Sequence, residues 1–403
     1  MTFRAAVAIA APLTLADAVV RALRFAPSVS QAEAQSDYGD ARAREQFAPL
    51  LPAVSAGLEY YQAPGYSEVI TNRGLSAGLL ALNYTAWDWG RRSARYRAAR
   101  YAAQVAVLGV AAARAQIVYD ATAGYYELLR ARAIERELQF SLARLDRYVA
   151  TVEQLRQRGR AIANDVLKIQ SARDAAELGL ASARANRRRA SASLGSLIGE
   201  FDQPEIELAD VSGVPPKPSG NLAESPALQA ARRAISGAEL QLKAAQAERL
   251  PTFQVALSSG FLGIDPSMTV THNGGASYDG VISMPIFAGG LIGSHIDEAK
   301  AKQRSAAAQL RETEYLLSRR IADASLRYDE AREGLEILTR AQPTADDAFA
   351  LTWTRFLGGG NATLLEVLDA YQQAEQLKLN RFDREFAARE AAAETGLLYG
   401  QSQ

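Results

Sequence analysis

Glu248-Arg249-Leu250-Pro251-Thr252-Phe253-Gln254-Val255-Ala256-Leu257-Ser258-Ser259-Gly260-Phe261 is the stretch on which the fold turns. Pro251 cannot continue a helix. After it Phe253, Val255, Leu257, Ser259 and Phe261 alternate with Thr252, Gln254, Ala256, Ser258 and Gly260. That period of two marks a strand with a greasy face toward lipid or core and a polar face opposite. The arrangement has a counterpart upstream, where Pro49-Leu50-Leu51-Pro52 leads into a second strand-like run, and Pro52 precedes Pro251 by 199 residues.

Other punctuation keeps that offset. Pro27-Ser28 returns as Pro226-Ala227 and Gly159 as Gly358 after 199 residues, and Gly90 returns as Gly290 after 200. One long offset held by four landmarks signals an internal tandem repeat. The copies are assigned to 12–198 and 225–398. Between them, 199–224 forms a linker whose Pro215-Pro216-Lys217-Pro218 run rules out helix. Residues 1–11, with Arg4, an apolar run and Ala8-Ile9-Ala10, read as the remnant of an export signal, and 399–403 as a tail.

Within each copy the element order is the same. A helix (about 15–47 and 225–249) ends at a proline. Two strands follow, at about 53–62 and 74–84, then 252–262 and 277–286. A long helix comes next (91–157 and 291–355), with a kink or offset expected in the second copy at Pro343. A glycine-bearing turn leads to a return helix (164–198 and 363–398). At 1.5 Å per residue each long helix spans on the order of 100 Å. Leu138, Leu142, Leu145, Val149 and Val152, like Leu317, Ile321, Ala324, Tyr328, Ala331, Leu335 and Leu338, step by fours and threes as a coiled-coil seam does.

Composition narrows the function classes. The 45 basic and 45 acidic residues cancel, so no global field favours nucleic acid. Cysteine is absent, which removes thiolate chemistry and disulfides. His272 and His295 are the only histidines, with no second histidine near either, and although His295, Asp297 and Glu298 could be read as ligands, adjacent helix positions point apart, so no metal, cofactor or catalytic site is read. Arg187-Arg188-Arg189 reads as a solvated helix face. The Gly358-Gly359-Gly360 run lacks the lysine and hydroxyl of a phosphate loop. No stretch approaches about 20 uninterrupted apolar residues, so a membrane would be crossed by strands.

Four strands cannot close a barrel, and an open edge in lipid leaves backbone groups unpaired. Three copies would bring about 12 strands, enough for an aqueous lumen. Tyr60, Tyr61, Tyr84, Trp87, Trp89, Phe253, Phe261, Tyr278 and Phe287 gather near the strand ends, where interfacial girdles sit. The fold expected is mainly α with a small β part: a long antiparallel α-helical barrel continued by a 12-stranded trimeric transmembrane β-barrel. The rival is a pore-less long-helix periplasmic adaptor or scaffold. Against it, each copy here carries its own β-hairpin.

These residues also carry a resemblance. Thr14-Leu15-Ala16-Asp17-Ala18, the junctions Trp89-Gly90-Arg91-Arg92 and Phe287-Ala288-Gly289-Gly290, Arg158-Gly159 before Asp165-Val166-Leu167, Leu197-Ile198-Gly199, and Gly358 before Glu366-Val367-Leu368-Asp369-Ala370 together resemble the TolC family of outer-membrane efflux proteins. The resemblance covers nearly the whole chain. It implies a homotrimer in the outer membrane of a Gram-negative bacterium, helices in the periplasm, a periplasmic adaptor (membrane fusion protein), and an inner-membrane pump of RND, ABC or MFS type. The chain would then be a passive efflux or secretion duct rather than an enzyme.

Three sets of residues follow from it. Glu366 and Asp369 share a helix face at i and i+3, and the resemblance makes them the periplasmic gate. Crowded around a threefold axis, such acids attract cations. Arg158, Gly159 and Arg160, with Phe356, Leu357, Gly358, Gly359 and Gly360, are the adaptor-docking tips, Leu357 being the apolar residue expected to be exposed. Pro52, Trp89, Gly90, Pro251, Gly289 and Gly290 form the barrel–tunnel junction.

Overall fold

The computed structural model describes residues 12–62, 65, 74–201, 205–211, 213–263, 274–359 and 362–400. The export-signal reading, His272 and Gly360 lie outside them. The same series of elements occurs twice. The first is α1 (Leu15–Phe25), α2 (Pro27–Phe47), β1 (Ala53–Gln62), β2 (Gly74–Trp87), α3 (Arg91–Gln157) and α4 (Ala163–Ile198). The second is α5 (Pro226–Gln246), β3 (Thr252–Gly263), β4 (Gly274–Ser283), α6 (Leu291–Leu357) and α7 (Leu364–Tyr399).

Two expectations are corrected. The helix expected over 15–47 is broken at Ala26, which is extended (φ −60°, ψ 109°) because proline clashes with an α conformation in the residue before it. Pro27 then opens α2. The fourth strand begins and ends three residues earlier than expected, at Gly274 and Ser283. Pro343 lies inside α6 without ending it. Its neighbour Gln342 is buried and donates from Nε2 to Asp346 Oδ2 (3.1 Å) and to the Ala374 carbonyl on α7 (3.4 Å), tying that turn to the return helix.

The strands form one antiparallel sheet in the order β1-β2-β3-β4. Register sorts the side chains. Val54↔Leu82↔Leu257↔Tyr278 and Ala56↔Leu80↔Ser259↔Ala276 share one face. Ala53↔Asn83↔Ala256↔Asp279 and Ser55↔Ala81↔Ser258↔Ser277 share the other. Glu59 belongs to this second face, so both charged residues of the strands are on the polar side, while most of the large apolar ones are on the opposite side, Tyr61, Leu79 and Val281 being exceptions. Phe261 lies across Gly78, where an added Cβ would stand 2.4 Å from the ring.

Two compact units cut across the repeats. One comprises Gln31–Val110 and Pro226–Glu314 and holds the sheet. The other comprises Met1–Ser30, Ala111–Ser225 and Tyr315–Gln403, with most of the long helices. The second unit has its main core where α1 packs on α3 and α4 around Ala18, Ala22, Tyr125, Leu128 and Leu194. The inter-repeat linker is strapped onto this unit. Tyr125 Oη donates within reach of the carbonyls of Leu13 (3.0 Å) and Ala209 (2.6 Å), Tyr328 Oη donates to Pro215 (2.8 Å), and Arg389 donates to Val211 (2.9 Å) and Gly213 (3.1 Å). Backbone that forms no helix or sheet thus finds side-chain partners.

Candidate functional site

Both copies start their return helix with the same local chemistry. Thr363 caps α7: its Oγ1 accepts from Glu366 N (3.3 Å), while its own N–H donates to Glu366 Oε2 (2.8 Å). This is a capping box. In the first copy Ile162 N donates to Asp165 Oδ2 (3.1 Å) at the equivalent place. Glu366 therefore has a structural task that Asp165 shares. Asp369 has none, and the first copy has Lys168 in its position. Glu366 and Asp369 are exposed in the protomer, whereas Val367 and Leu368 beside them are buried against α3 and α4.

The two tip turns follow α3 and α6. Gly159 (φ 70°) and Gly359 (φ 74°) take the left-handed conformation that glycine adopts without steric cost. Arg158 and Arg160 are exposed, while Phe356 and Leu357 are half-buried, Phe356 packing with Trp353 (5.8 Å between centroids). The expectation of an exposed Leu357 is thereby corrected. The exposed apolar side chain at the tips is Ile162, 64% accessible, at the N-cap of α4 where no polar side chain caps the helix.

Behind the tips, α3 and α7 are joined by buried polar contacts that the sequence did not flag. Arg144 donates to Glu137 (2.9 Å) and Glu375 (2.6 Å), Lys378 pairs with Glu375 (3.3 Å), and Tyr371 Oη donates to the Ser141 carbonyl (3.1 Å). Burial opposes the Arg144 cation, but its hydrogen bond to Glu137 and the charge of Glu375 outweigh that and raise its pKa. Burial also raises the Tyr371 pKa. Arg187, from the basic run, pairs with Glu135 (2.5 Å) and Glu205 (2.7 Å), so it is not a free cation for a nucleic acid.

At the junction between strands and long helices the copies differ. Asp88 Oδ1 accepts from Gly90 N (3.1 Å), and its Oδ2 accepts from Arg92 N (2.9 Å) and Nε (2.8 Å). Burial alone would raise the Asp88 pKa; the bonds and charge of Arg92 overcome it and hold the pKa below the ordinary carboxylate value. Arg92 goes on to the carbonyls of Pro49 (2.6 Å) and Thr85. The second copy has Ala288 and Ile292 in these places.

Trp89 is the one non-glycine at positive φ among the described residues, and its φ of 57° equals that of Gly289. Such a conformation is strained by roughly 1–3 kcal/mol. Trp89 is held in it by Nε1 donating to the Pro251 carbonyl (2.9 Å) and by edge contact with Trp87. Two of the expected junction residues thus meet directly, across the repeat. Pro52 precedes β1, and Gly90 and Gly290 (φ 79° and 84°) open the long helices. The residues considered as metal ligands are dispersed. His295 faces Glu248 (2.8 Å), Asp297 faces Lys300 (3.2 Å) and Glu298 faces Lys302 (2.6 Å), and no group among the described residues could hold a metal ion.

The outer membrane efflux protein family model matches residues 18–200 and again 218–395, once per repeat. The chain belongs to the outer membrane efflux protein family. Among curated proteins, the outer membrane efflux protein BepC of Brucella suis biovar 1 (strain 1330) is 24% identical over 187 residues, 45% of this chain and 41% of that protein. The matched stretch thus spans under half the length of this relative. Similar solved folds include the outer membrane protein VceC of Vibrio cholerae (20% identical, 96% of each chain, TM-score 0.85). The MtrE outer membrane channel of Neisseria gonorrhoeae in its open state is another (19% identical, 96% of this chain and 88% of that one, TM-score 0.83). Membership of this efflux family places the chain in the outer membrane.

Proposed function

We propose that three copies of this chain close into a 12-stranded barrel continued by a helical tunnel, a passive exit duct for substrates delivered by an inner-membrane pump through a periplasmic adaptor. The observation that carries this reading is the sheet. It has a lipid-compatible face, a polar face, and outer edges on β1 and β4 that pair with no other described strand. Apolar surface with no cover in one protomer points the same way. Tyr315, Leu326 and Ile337 recur every eleven residues on α6, at 64%, 69% and 50% accessibility. Within α3, an 18-residue window that is itself hardly buried is apolar enough by composition to span a membrane. In the duct, neighbouring copies cover both. A pore-less adaptor or scaffold would leave the sheet's apolar face in water, which disfavours that reading.

The tips are the adaptor-docking end in this reading, and the junction residues join barrel to tunnel. Outer-membrane fractions run on a detergent gel should show a trimer that collapses to monomer on heating; a heat-insensitive monomer in the periplasmic fraction would refute the duct.

Asp369 and Glu366 form the gate. Three copies set six carboxylates near one level, and such rings favour cations. In planar bilayers, Asp369→Asn should lower the potassium-over-chloride permeability ratio by about twofold. Glu366→Gln should do less, since its amide oxygen still accepts the Thr363 N–H. Unchanged selectivity in the double variant would remove both from the gate.

A further inference from the structure

Gly159 and Gly359 occupy the same place in the two tip turns, each at positive φ two residues after its long helix ends, and Arg160 directly follows the first of them. Arg160 reaches from its own turn to the other, and its Nη2 donates to the Leu357 carbonyl at 2.6 Å. Leu357 is the last residue of α6, so that oxygen is one of the helix-end acceptors with no partner inside the helix. A cation there also meets the negative end of the helix dipole. Gly359 makes the approach feasible, because a Cβ at this position would stand 3.0 Å from Arg160 Nη2.

Both ends of the contact are anchored. The Arg160 N–H donates to Leu155 (2.8 Å), and Gly159 N donates to Arg156 (2.9 Å). Ala161 from one turn and Phe356 from the other pack on a shared apolar cluster. The acids close by in sequence do not compete for the guanidinium, since Asp165 and Glu366 are turned back onto their own helix starts.

We propose that Arg160 is a positioning residue that clasps the two tip turns into a single docking face, so that a partner's helical hairpin meets both turns at a fixed spacing. This rests on the docking role proposed for the tips. Without the clasp each turn moves on its own, and the partner would have to select one separation among several.

The chain has no cysteine, so spin labels at Gln157→Cys and Thr354→Cys report on the two turns alone, in the full-length protein in detergent. The label–label distance distribution should be narrow with Arg160 present and broaden by about twofold in Arg160→Ala as the turns sample several separations. Arg160→Lys, whose ammonium can reach the same carbonyl, should restore most of the narrowness. Gly359→Asn tolerates the positive φ but crowds Arg160, so it should broaden the distribution alone and add nothing on top of Arg160→Ala. The thermal midpoint should stay unchanged throughout. An unchanged distribution in Arg160→Ala, or full additivity with Gly359→Asn, overturns the clasp. Normal export in Gly159→Trp with the distribution still narrow would overturn the docking role instead, which keeps the two failures apart.

Discussion

Arg389→Ala is expected to lower folding stability by about 3–5 kcal/mol, the range for removing one partner of a buried, hydrogen-bonded charge. The Arg389 side chain is 3% accessible. It donates to the carbonyls of Val211 and Gly213 and to Glu385 (2.6 Å), and its guanidinium lies over the rings of Phe386 (4.7 Å) and Tyr126 (5.8 Å). Alanine would leave two linker carbonyls without their donor and a gap beneath two aromatic rings. Arg384 on the same helix is the control. Its ion pair with Glu330 (2.6 Å) is 43% and 68% accessible, so Arg384→Ala should cost no more than about 1 kcal/mol. Denaturant unfolding of the purified protein followed by circular dichroism separates the two. Equal losses would mean that the linker is not held by Arg389.

That linker shows where the sequence stops being informative. Pro215-Pro216-Lys217-Pro218 told that no helix could run there, and the structure agrees, but nothing local told where its carbonyls would find donors. Arg389 lies 176 residues beyond Gly213, and an arginine inside an alanine-rich helix reads as solvated until its neighbours are known. Arg160 and Trp89 are alike in this. Each was singled out for its place in a turn or junction, and each acts through one bond to a carbonyl of the other repeat.

The long helices, by contrast, were legible to within two residues at every end. Glycines at positive φ and coiled-coil spacing are local signals, and residues 91–157 were bounded by Gly90 on one side and Gly159 on the other. Pro27 is visible as a landmark, yet the break at Ala26 follows from the proline's restriction on the residue before it rather than from any change in helix-forming composition. Met284, Ile286 and Phe287 look like strand but follow the end of β4 at Ser283. The paired acids were read as one feature. The capping box divides them: Glu366 serves the helix start, and Asp369 is left as the carboxylate without a local task.

Leu257→Arg and Ser258→Arg make the sharpest test of the sheet, because adjacent residues on β3 point to opposite faces. Leu257 stands in mid-strand opposite Leu82 and Tyr278. If that face meets lipid, an arginine near the bilayer midplane is destabilising by about 2–4 kcal/mol. Ser258 sits opposite Ala81 and Ser277 and shares a hydroxyl contact with Ser277 at 2.7 Å. On the lumen side its replacement forfeits that contact but keeps the cation in water. Leu257→Arg should therefore abolish most of the heat-sensitive trimer recovered from outer-membrane fractions, while Ser258→Arg should assemble nearly as the parent does and shift conductance toward anions. The reverse ranking would turn the sheet inside out, placing Glu59 and Asp279 in lipid, where an unpaired carboxylate could not remain charged. Equal tolerance of both variants would mean that neither face meets lipid, and the argument for a barrel closed between copies would fail with it.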